Sequence, residues 1–401
     1  MRVLDTKNFA VPGYKAWGIH CGIKKTDKKD LAIIYSDREA TMAGVFTRNK
    51  VKAAPILLCT NRVRSGKGQA IIANSGCANA CTGKRGFADA KATAEIAARE
   101  LALSPEAVYV ASTGVIGEFL PVAKIGTGIS TAIGLLASNG WEQAAEAIMT
   151  TDIYPKMHIV QEEIGGKIVT VAGIAKGSGM IHPDMATMLC FIVTDAAVAA
   201  PVLKKALASV SDRYFNNITV DGDTSTNDVI LCMANGAAGN KRMPAGSKDL
   251  KKFLTCMDAV GRSLAMQVVR DGEGATKFVE IAVRSAKSPV EAKRAAMAIA
   301  KSPLVKTAIF GEDANWGRIM AVLGGCGVDM DEGRTDIHFG KSKLVEKGLG
   351  QGKAAEREAT LALKQREVQI AIDLHKGSAQ STVWTCDLST EYIKINAAYR
   401  S

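Results

Sequence analysis

Residues 176–195 read KGSGMIHPDMATMLCFIVTD: a glycine-rich loop, then Met-Ala-Thr, then a short apolar run. Met188 to Val193 is apolar and partly β-branched and is bounded by turn residues, which predicts a strand buried on both faces. Thr187 stands at the entry to that strand. A hydroxyl placed there is held by a rigid backbone, while Gly177, Gly179 and Pro183 let the preceding loop bend sharply or approach closely. Taken alone, the stretch reads more readily as a hairpin carrying an ordinary strand threonine, because short sequence patterns match by chance.

Working outward, 401 residues with 47% hydrophobic content suffice for one large or two ordinary domains with a substantial core. The first twenty residues, MRVLDTKNFAVPGYKAWGIH, lack the apolar run of a signal peptide. No segment approaches the roughly 20 apolar residues of a membrane span. The expectation is a soluble cytoplasmic protein with no membrane partner. The formal charge is +11, but only 5% of residues are aromatic and the basic residues are dispersed without a nucleic-acid module, which argues against nucleic acid. The excess charge either draws small anionic substrates or simply solvates the exterior. Nine cysteines are scattered without CxxC pairs, so they read as reduced apolar residues. Cys77 and Cys81 have no matching ligands nearby, so no metal site is expected.

Upstream, LAIIY, AGVF and APILLC between Leu31 and Cys59 read as strands separated by charged turns. Ala70 to Ala73 reads as a short buried strand running into a polar loop with Asn74, Ser75, Gly76, Asn79 and Gly83, the kind of strand end where α/β proteins place function. A helix from about Gly86 to Leu103 follows. Val108 to Ala111 is a strand leading into Ser112-Thr113-Gly114, where a hydroxyl and a glycine amide could serve as oxyanion donors or form a plain turn. Helices are predicted over 122–138 and 141–149, and a strand over 167–175. Downstream, a helix over 200–215 precedes a strand at Ile218-Thr219-Val220 and the polar run 221–228. Asp221 and Asp223 lack EF-hand spacing, so a hydrogen-bonded turn network beside the site is the expectation. A long helix over 248–269 ends at Arg270-Asp271-Gly272-Glu273-Gly274, which sets a carboxylate between two glycines. A strand at 278–283, a helix at 290–300, a loop at 311–318 and a strand-rich end complete the chain. No linker is visible, so the halves are expected to share one core.

Taken together, NSGCANACTG (74–83), ASTGVIG (111–117), TTDIYPK (150–156), KGSGMIHPDMATML (176–189), TVDGDTSTND (219–228), RDGEGATK (270–277), the 311–318 loop and the terminal INAAYRS closely resemble the ornithine acetyltransferase (glutamate N-acetyltransferase) family of arginine biosynthesis. So many motifs in one order along the whole chain are highly specific, and they turn the reading of Thr187 from a structural residue into a nucleophile. The resemblance implies an α/β fold, a four-layer αββα sandwich with an N-terminal-nucleophile-type site. It implies self-cleavage between Ala186 and Thr187, giving an α chain of residues 1–186 and a β chain of residues 187–401 that stay associated and pair into a heterotetramer. It implies ping-pong transfer of acetyl from N2-acetyl-L-ornithine to L-glutamate through acetyl-Thr187. The oxyanion hole maps onto Thr113 and Gly114, and the substrate contacts onto Thr150, Lys176, Thr187, Glu273, Asn396 and Ser401. Physical chemistry makes the cleavage coherent: the α-amine that it frees titrates near pH 7.7–8.0 in model compounds and can act as base for its own hydroxyl. None of the five histidines is then required.

No resident cofactor is expected. Use of acetyl-CoA as a second donor is left open, since neither a phosphate loop nor a GxGxxG helix entry is present. The chain departs from the family pattern at Cys77, Asp184 and Ala314, which puts the efficiency of self-cleavage in question more than the chemistry. Two other readings compete. One is a self-processing amidase or aminopeptidase of related fold, in which water replaces glutamate; the other is an uncleaved binding protein.

Overall fold

The apolar run after residue 187 is a strand over Leu189–Thr194, buried along its whole length and displaced by one residue from the expected span. The computed structural model describes residues 1–182 and 188–398. Ala186, Thr187 and Ser401 therefore lie outside the described residues, as do Pro183, Asp184 and the end of the INAAYRS motif. The described chain divides into two units, one of residues 1–216 and 224–268, the other of 217–223 and 269 onward.

The first unit is built on nine strands: β1 (Arg2–Val3), β2 (Tyr14–Ile19), β3 (Leu31–Phe46), β4 (Lys67–Cys77), β5 (Val108–Val115), β6 (Lys156–Ile164), β7 (Lys167–Lys176), β8 (Leu189–Thr194) and β9 (Val229–Ala234). They lie in the order β1-β6-β7-β8-β9-β3-β4-β5, with β2 also paired to β3. The pairs β8/β9 and β4/β5 are parallel. Each therefore needs a crossover connection, which helices supply. Helices α1 (Ala54–Arg62) and α2 (Gly83–Glu100) join β4 and β5 to their surroundings, α3 (Val122–Gly134) and α4 (Trp141–Ala147) follow β5, and α5 (Ala200–Arg213) links β8 to β9. The core is aliphatic, with Leu31, Ile33, Ile72, Ile129, Ile174 and Leu231 almost wholly buried. Strand β8, the first described element after the expected cleavage point, pairs antiparallel with β7 before that point and parallel with β9 after it.

The second unit has a six-stranded sheet of β10 (Phe278–Ala286), β11 (Asp336–Phe339), β12 (Ser342–Glu346), β13 (Leu349–Gly350), β14 (Glu367–Asp373) and β15 (Ala379–Cys386), ordered β13-β12-β11-β14-β10-β15. The long α6 (Lys248–Arg270) belongs to the first unit up to Val268, and the second unit carries α7 (Pro289–Lys301), α8 (Pro303–Phe310), α9 (Trp316–Gly325), α10 (Gly352–Leu363) and α11 (Thr390–Ala398). Its core includes Val279, Ile281, Ile299, Leu323, Ile370 and Val383. The mixed α/β class expected from the sequence is what both units show. Among the described residues no helix is long and apolar enough to cross a membrane.

Several expected elements change. APILLC is the body of helix α1 rather than a strand, with Pro55 in the first helical turn, where its fixed φ and missing N–H suit a helix start. LAIIY and AGVF belong to the single long strand β3, interrupted by a register shift between Tyr35 and Ala40. Asn74, Ser75 and Gly76 continue β4 rather than forming a loop. Ile218-Thr219-Val220 reduces to an isolated bridge between Ile218 and Trp384. The 311–318 loop ends at Trp316, where α9 begins, capped by the Asn315 side chain accepting from the Arg318 N–H. The C-terminal third also holds more helix than the strand-rich end predicted.

Candidate functional site

In the first unit the site grows from the parallel pair β4/β5. Gly76 faces Gly114 in its register. Gly114 has φ +128°, and a Cβ there would lie 2.4 Å from the Gly76 carbonyl carbon and 2.6 Å from the Cys77 nitrogen. Only glycine lets the two strands approach so closely while leaving Gly114 with that backbone orientation. Behind them, the Ser112 hydroxyl donates to Asn74 Oδ1 at 2.6 Å, and Asn74 Nδ2 donates to the Cys77 carbonyl at 2.9 Å. Asn227 Nδ2 donates to the Ser112 and Ala78 carbonyls at 2.8 and 2.6 Å. The polar run 221–228 thus contributes the hydrogen-bonded network expected beside the site, and Asn227 is its working member.

Lys176, the last residue of β7, brings the separate segments together. Its buried ammonium donates to Thr150 Oγ1 at 2.8 Å and to Thr113 Oγ1 at 3.4 Å. Because Thr113 Oγ1 accepts from a cation, its own O–H is free to rotate toward an incoming oxyanion and is polarised as a donor. Thr113 and Thr150, both expected beside Lys176, are thus brought to its ammonium.

The group that organises them is Asp152. Its carboxylate accepts from the Lys156 ammonium at 2.7 Å, from the Gly177 N–H at 2.7 Å and from the Thr150 N–H at 2.9 Å, and it lies 3.9 Å from Lys176 Nζ. The side chains of Asp152 and Lys156 are wholly buried. Burial alone would raise the acid's pKa, but the ammonium groups of Lys176 and Lys156 and the hydrogen bonds from Lys156 and Thr150 hold it well below the usual carboxylate range. Asp152 was given no role in the sequence reading, although it sits inside the TTDIYPK motif. The Asp-x-x-x-Lys spacing of a buried pair was the available signal.

Thr224 Oγ1 donates to the His182 carbonyl at 2.8 Å, tying the polar run to the last described residue before Thr187. Thr187 and Ala186 themselves lie outside the described residues, so their distances to Thr113 and Lys176 do not enter.

In the second unit, Glu273 is buried and accepts from Asn396 Nδ2 at 2.7 Å, so two more expected site residues meet. Asn396 also donates to the Tyr392 carbonyl, one helical turn earlier in α11. Gly274, at φ +67°, permits that contact: a Cβ would come within 2.6 Å of the Tyr392 nitrogen. The Ser389 hydroxyl closes the turn by donating to the Gly274 carbonyl at 2.6 Å. Asp221 accepts from the Tyr392 hydroxyl at 3.3 Å and from the Asp223 N–H at 3.2 Å, a turn rather than a cation cage. Among the described residues no group of three or more His, Cys, Asp or Glu side chains could hold a metal ion. Ser401 lies outside the described residues.

The ArgJ family profile matches residues 15–401. The chain is 49% identical over 391 residues to the arginine biosynthesis bifunctional protein ArgJ of Geobacter sulfurreducens, covering 98% of this chain and 100% of that protein. It is 47% identical over 404 residues to the protein of that name from Caldanaerobacter subterraneus, with both chains fully covered. Among solved structures, the arginine biosynthesis bifunctional protein ArgJ of Bacillus halodurans is 42% identical with a TM-score of 0.51, the match covering 53% of this chain and 100% of that one.

Proposed function

The chain belongs to the ArgJ family, and from that premise we propose that it transfers acetyl from N2-acetyl-L-ornithine to L-glutamate in arginine biosynthesis, with acetyl-CoA as a second donor. The observation that carries the reading is the convergence of Thr113, Thr150 and Asp152 on the Lys176 ammonium, an arrangement suited to binding an anion beside an oxyanion hole. The relatives' name, a bifunctional protein of arginine biosynthesis, favours two donors over one.

The chain first processes itself. Thr187 Oγ attacks the Ala186 carbonyl carbon, the C–N bond breaks as the hydroxyl proton passes to the departing nitrogen, and an ester replaces the amide. Water then cleaves the ester, leaving an Ala186 carboxylate and a free Thr187 amine. In the transfer reaction that amine takes the hydroxyl proton while Oγ attacks the acetyl carbonyl. The tetrahedral oxyanion accepts from Thr113 Oγ1–H and the Gly114 N–H. The donor's amine leaves as ornithine, and the glutamate amine attacks the acetyl ester in the second half. Lys176 suits a substrate carboxylate, and the Glu273–Asn396 pair suits a substrate amine. No resident cofactor enters this chemistry.

The strand pairing supports fragments that stay together after cleavage, since β8 would remain hydrogen-bonded to β7 of the other fragment. The Bacillus halodurans chain, wholly covered by 53% of this one, is close to the share that a 215-residue fragment makes of 401 residues. We assign the active form as two α and two β fragments, working in the cytoplasm.

The test is steady-state transfer to L-glutamate from each donor by the purified, self-cleaved protein, with Thr113→Val as the variant. Transfer from acetylornithine must outpace hydrolysis, and Thr113→Val must lower kcat by about 10²–10³-fold. Hydrolysis outpacing transfer would favour the amidase reading instead.

A further inference from the structure

The loop between β2 and β3 reads HCGIKKTDKKD over residues 20–30, and its charge suggests a solvated turn. Instead it is folded around a wholly buried carboxylate. Asp30 accepts from the backbone N–H groups of Cys21 at 2.6 Å, Ile23 at 2.7 Å and Lys24 at 3.0 Å, and His20 Nδ1 lies 3.3 Å away. This fixes the path of Lys24. Its stem lies against Gly76, where a Cβ would come within 3.2 Å of Lys24 Cγ, and Gly76 is the register partner of Gly114. Its ammonium donates to the Lys29 carbonyl at 2.7 Å and to the Met149 carbonyl at 2.8 Å. Met149 immediately precedes Thr150, whose hydroxyl receives Lys176.

Resting on the acetyltransferase reading above, we propose that Lys24 is a further substrate-binding residue of the same site, supplying with Lys176 a second cation for the α-carboxylate that both amino-acid substrates carry. An ammonium has three N–H groups. Two of those on Lys24 are committed to carbonyls, and the third has no acceptor among the described residues. Asp30 is spent on backbone N–H groups, and the two acceptors of the Lys24 ammonium are neutral carbonyls. A buried cation held by neutral carbonyls suits an entering anion. Burial draws the Lys24 pKa down to about 8, with Asp30 and Asp152 opposing the fall and Lys176 and Lys28 adding to it, so the group is still cationic at neutral pH. Lys24, whose proton affinity Lys176 lowers, gains when a carboxylate arrives beside it.

The experiment compares Lys24→Gln, Lys24→Met and Lys24→Arg in the self-cleaved enzyme, using L-glutamate and its α-carboxamide as acceptors with acetylornithine as donor. Lys24→Met keeps the stem over Gly76 and so separates loss of charge from loss of packing. The expected result is a KM for glutamate raised about 10- to 100-fold in the Gln and Met variants, the range of a charge-assisted hydrogen bond, with kcat far less affected. Lys24→Arg should recover most of the loss, and the α-carboxamide should be used equally by all forms. Equal losses on glutamate and the carboxamide would overturn the proposal in favour of a role in holding the Met149 carbonyl. No loss at all, or a raised KM for acetyl-CoA alone, would overturn it as well. An unsubstituted enzyme that transfers no acetyl refutes the underlying reading, whereas an active enzyme indifferent to Lys24 refutes only this one.

Discussion

Thr187→Ala is expected to migrate as one uncut chain of 401 residues and to transfer no measurable acetyl, where the unsubstituted protein is expected to give fragments of 186 and 215 residues. The variant loses two functions at once. Without Oγ there is no atom to receive the Ala186 acyl group, so the peptide bond persists. With that bond intact there is no free α-amine to act as base. Removing a nucleophile that works as a unit with its base typically costs on the order of 10⁴–10⁶-fold in kcat. Thr187→Ser is the informative partner, because it restores the hydroxyl without the methyl group and should cut and transfer, though more slowly. Gel electrophoresis with intact-mass measurement reads the cleavage, and the transfer assay reads the activity. A Thr187→Ala protein that is still cut at 186/187 would mean that another group performs the cleavage.

The second large effect is expected at Asp152, through stability. Asp152→Ala removes the carboxylate that neutralises the wholly buried Lys156 ammonium and that receives the N–H groups of Thr150 and Gly177. Breaking a buried pair from one side costs about 3–5 kcal/mol, a large share of the roughly 5–15 kcal/mol that holds a typical domain together. Denaturant unfolding should show the midpoint falling by that free energy divided by the slope, with little change in the slope itself. The pH dependence carries the same sign. The native state holds Asp152 ionised below the range where an unfolded-chain carboxylate protonates. Its stabilisation is therefore complete above about pH 4 and drains away as pH falls toward the depressed native value. Asp152→Asn should show a weaker loss of stability on acidification than the unsubstituted protein. A variant within about 0.5 kcal/mol of the original, the range of ordinary surface changes, would show that Asp152 does not hold the site together. Activity should fall too, because Thr150 and Lys176 lose the anchor between them.

The two predictions differ in how they could be read from residues alone. Thr187 became legible only through the order of many motifs, since its own stretch suits an unremarkable strand more readily. Strand β8 was legible to within one residue because an uninterrupted apolar run between turn signals has few alternatives. APILLC looked equally strand-like and is helical: short apolar runs do not carry enough periodicity to choose, and Pro55 was the deciding clue. Asn74 to Gly76 looked like a loop because polar residues and glycine usually mark strand ends. Here they extend β4: Asn74 Oδ1 accepts from the Ser112 hydroxyl of β5, and the Ser75 hydroxyl donates to the Ala147 carbonyl.

Thr113, Thr150 and Lys176 were named through the resemblance, and the structure brings both hydroxyls within hydrogen-bonding reach of the Lys176 ammonium. The roles of Asp152 and Lys24 could not be read that way. An acid in a short polar motif and a lysine in a basic loop look like solvated charges until the fold supplies their partners. Beyond the Lys156 four residues from Asp152, those partners come from segments far apart in the chain: Gly177 for Asp152, Gly76 and Met149 for Lys24. Charge in a sequence says nothing about burial, and burial is what gives these two groups their influence.

An acetyl group carried by Thr187 between the two half-reactions is the centre of the proposed mechanism. The most direct measurement is to incubate the self-cleaved enzyme with N2-acetyl-L-ornithine, without glutamate, and to weigh the fragments after rapid acid quenching. The prediction is one acetyl group on the fragment that begins at residue 187, held at Thr187 Oγ, lost on adding L-glutamate and recovered as N-acetyl-L-glutamate. Transfer to glutamate with no acetyl ever found on that fragment, or with the acetyl on the fragment that ends at Ala186, would contradict it.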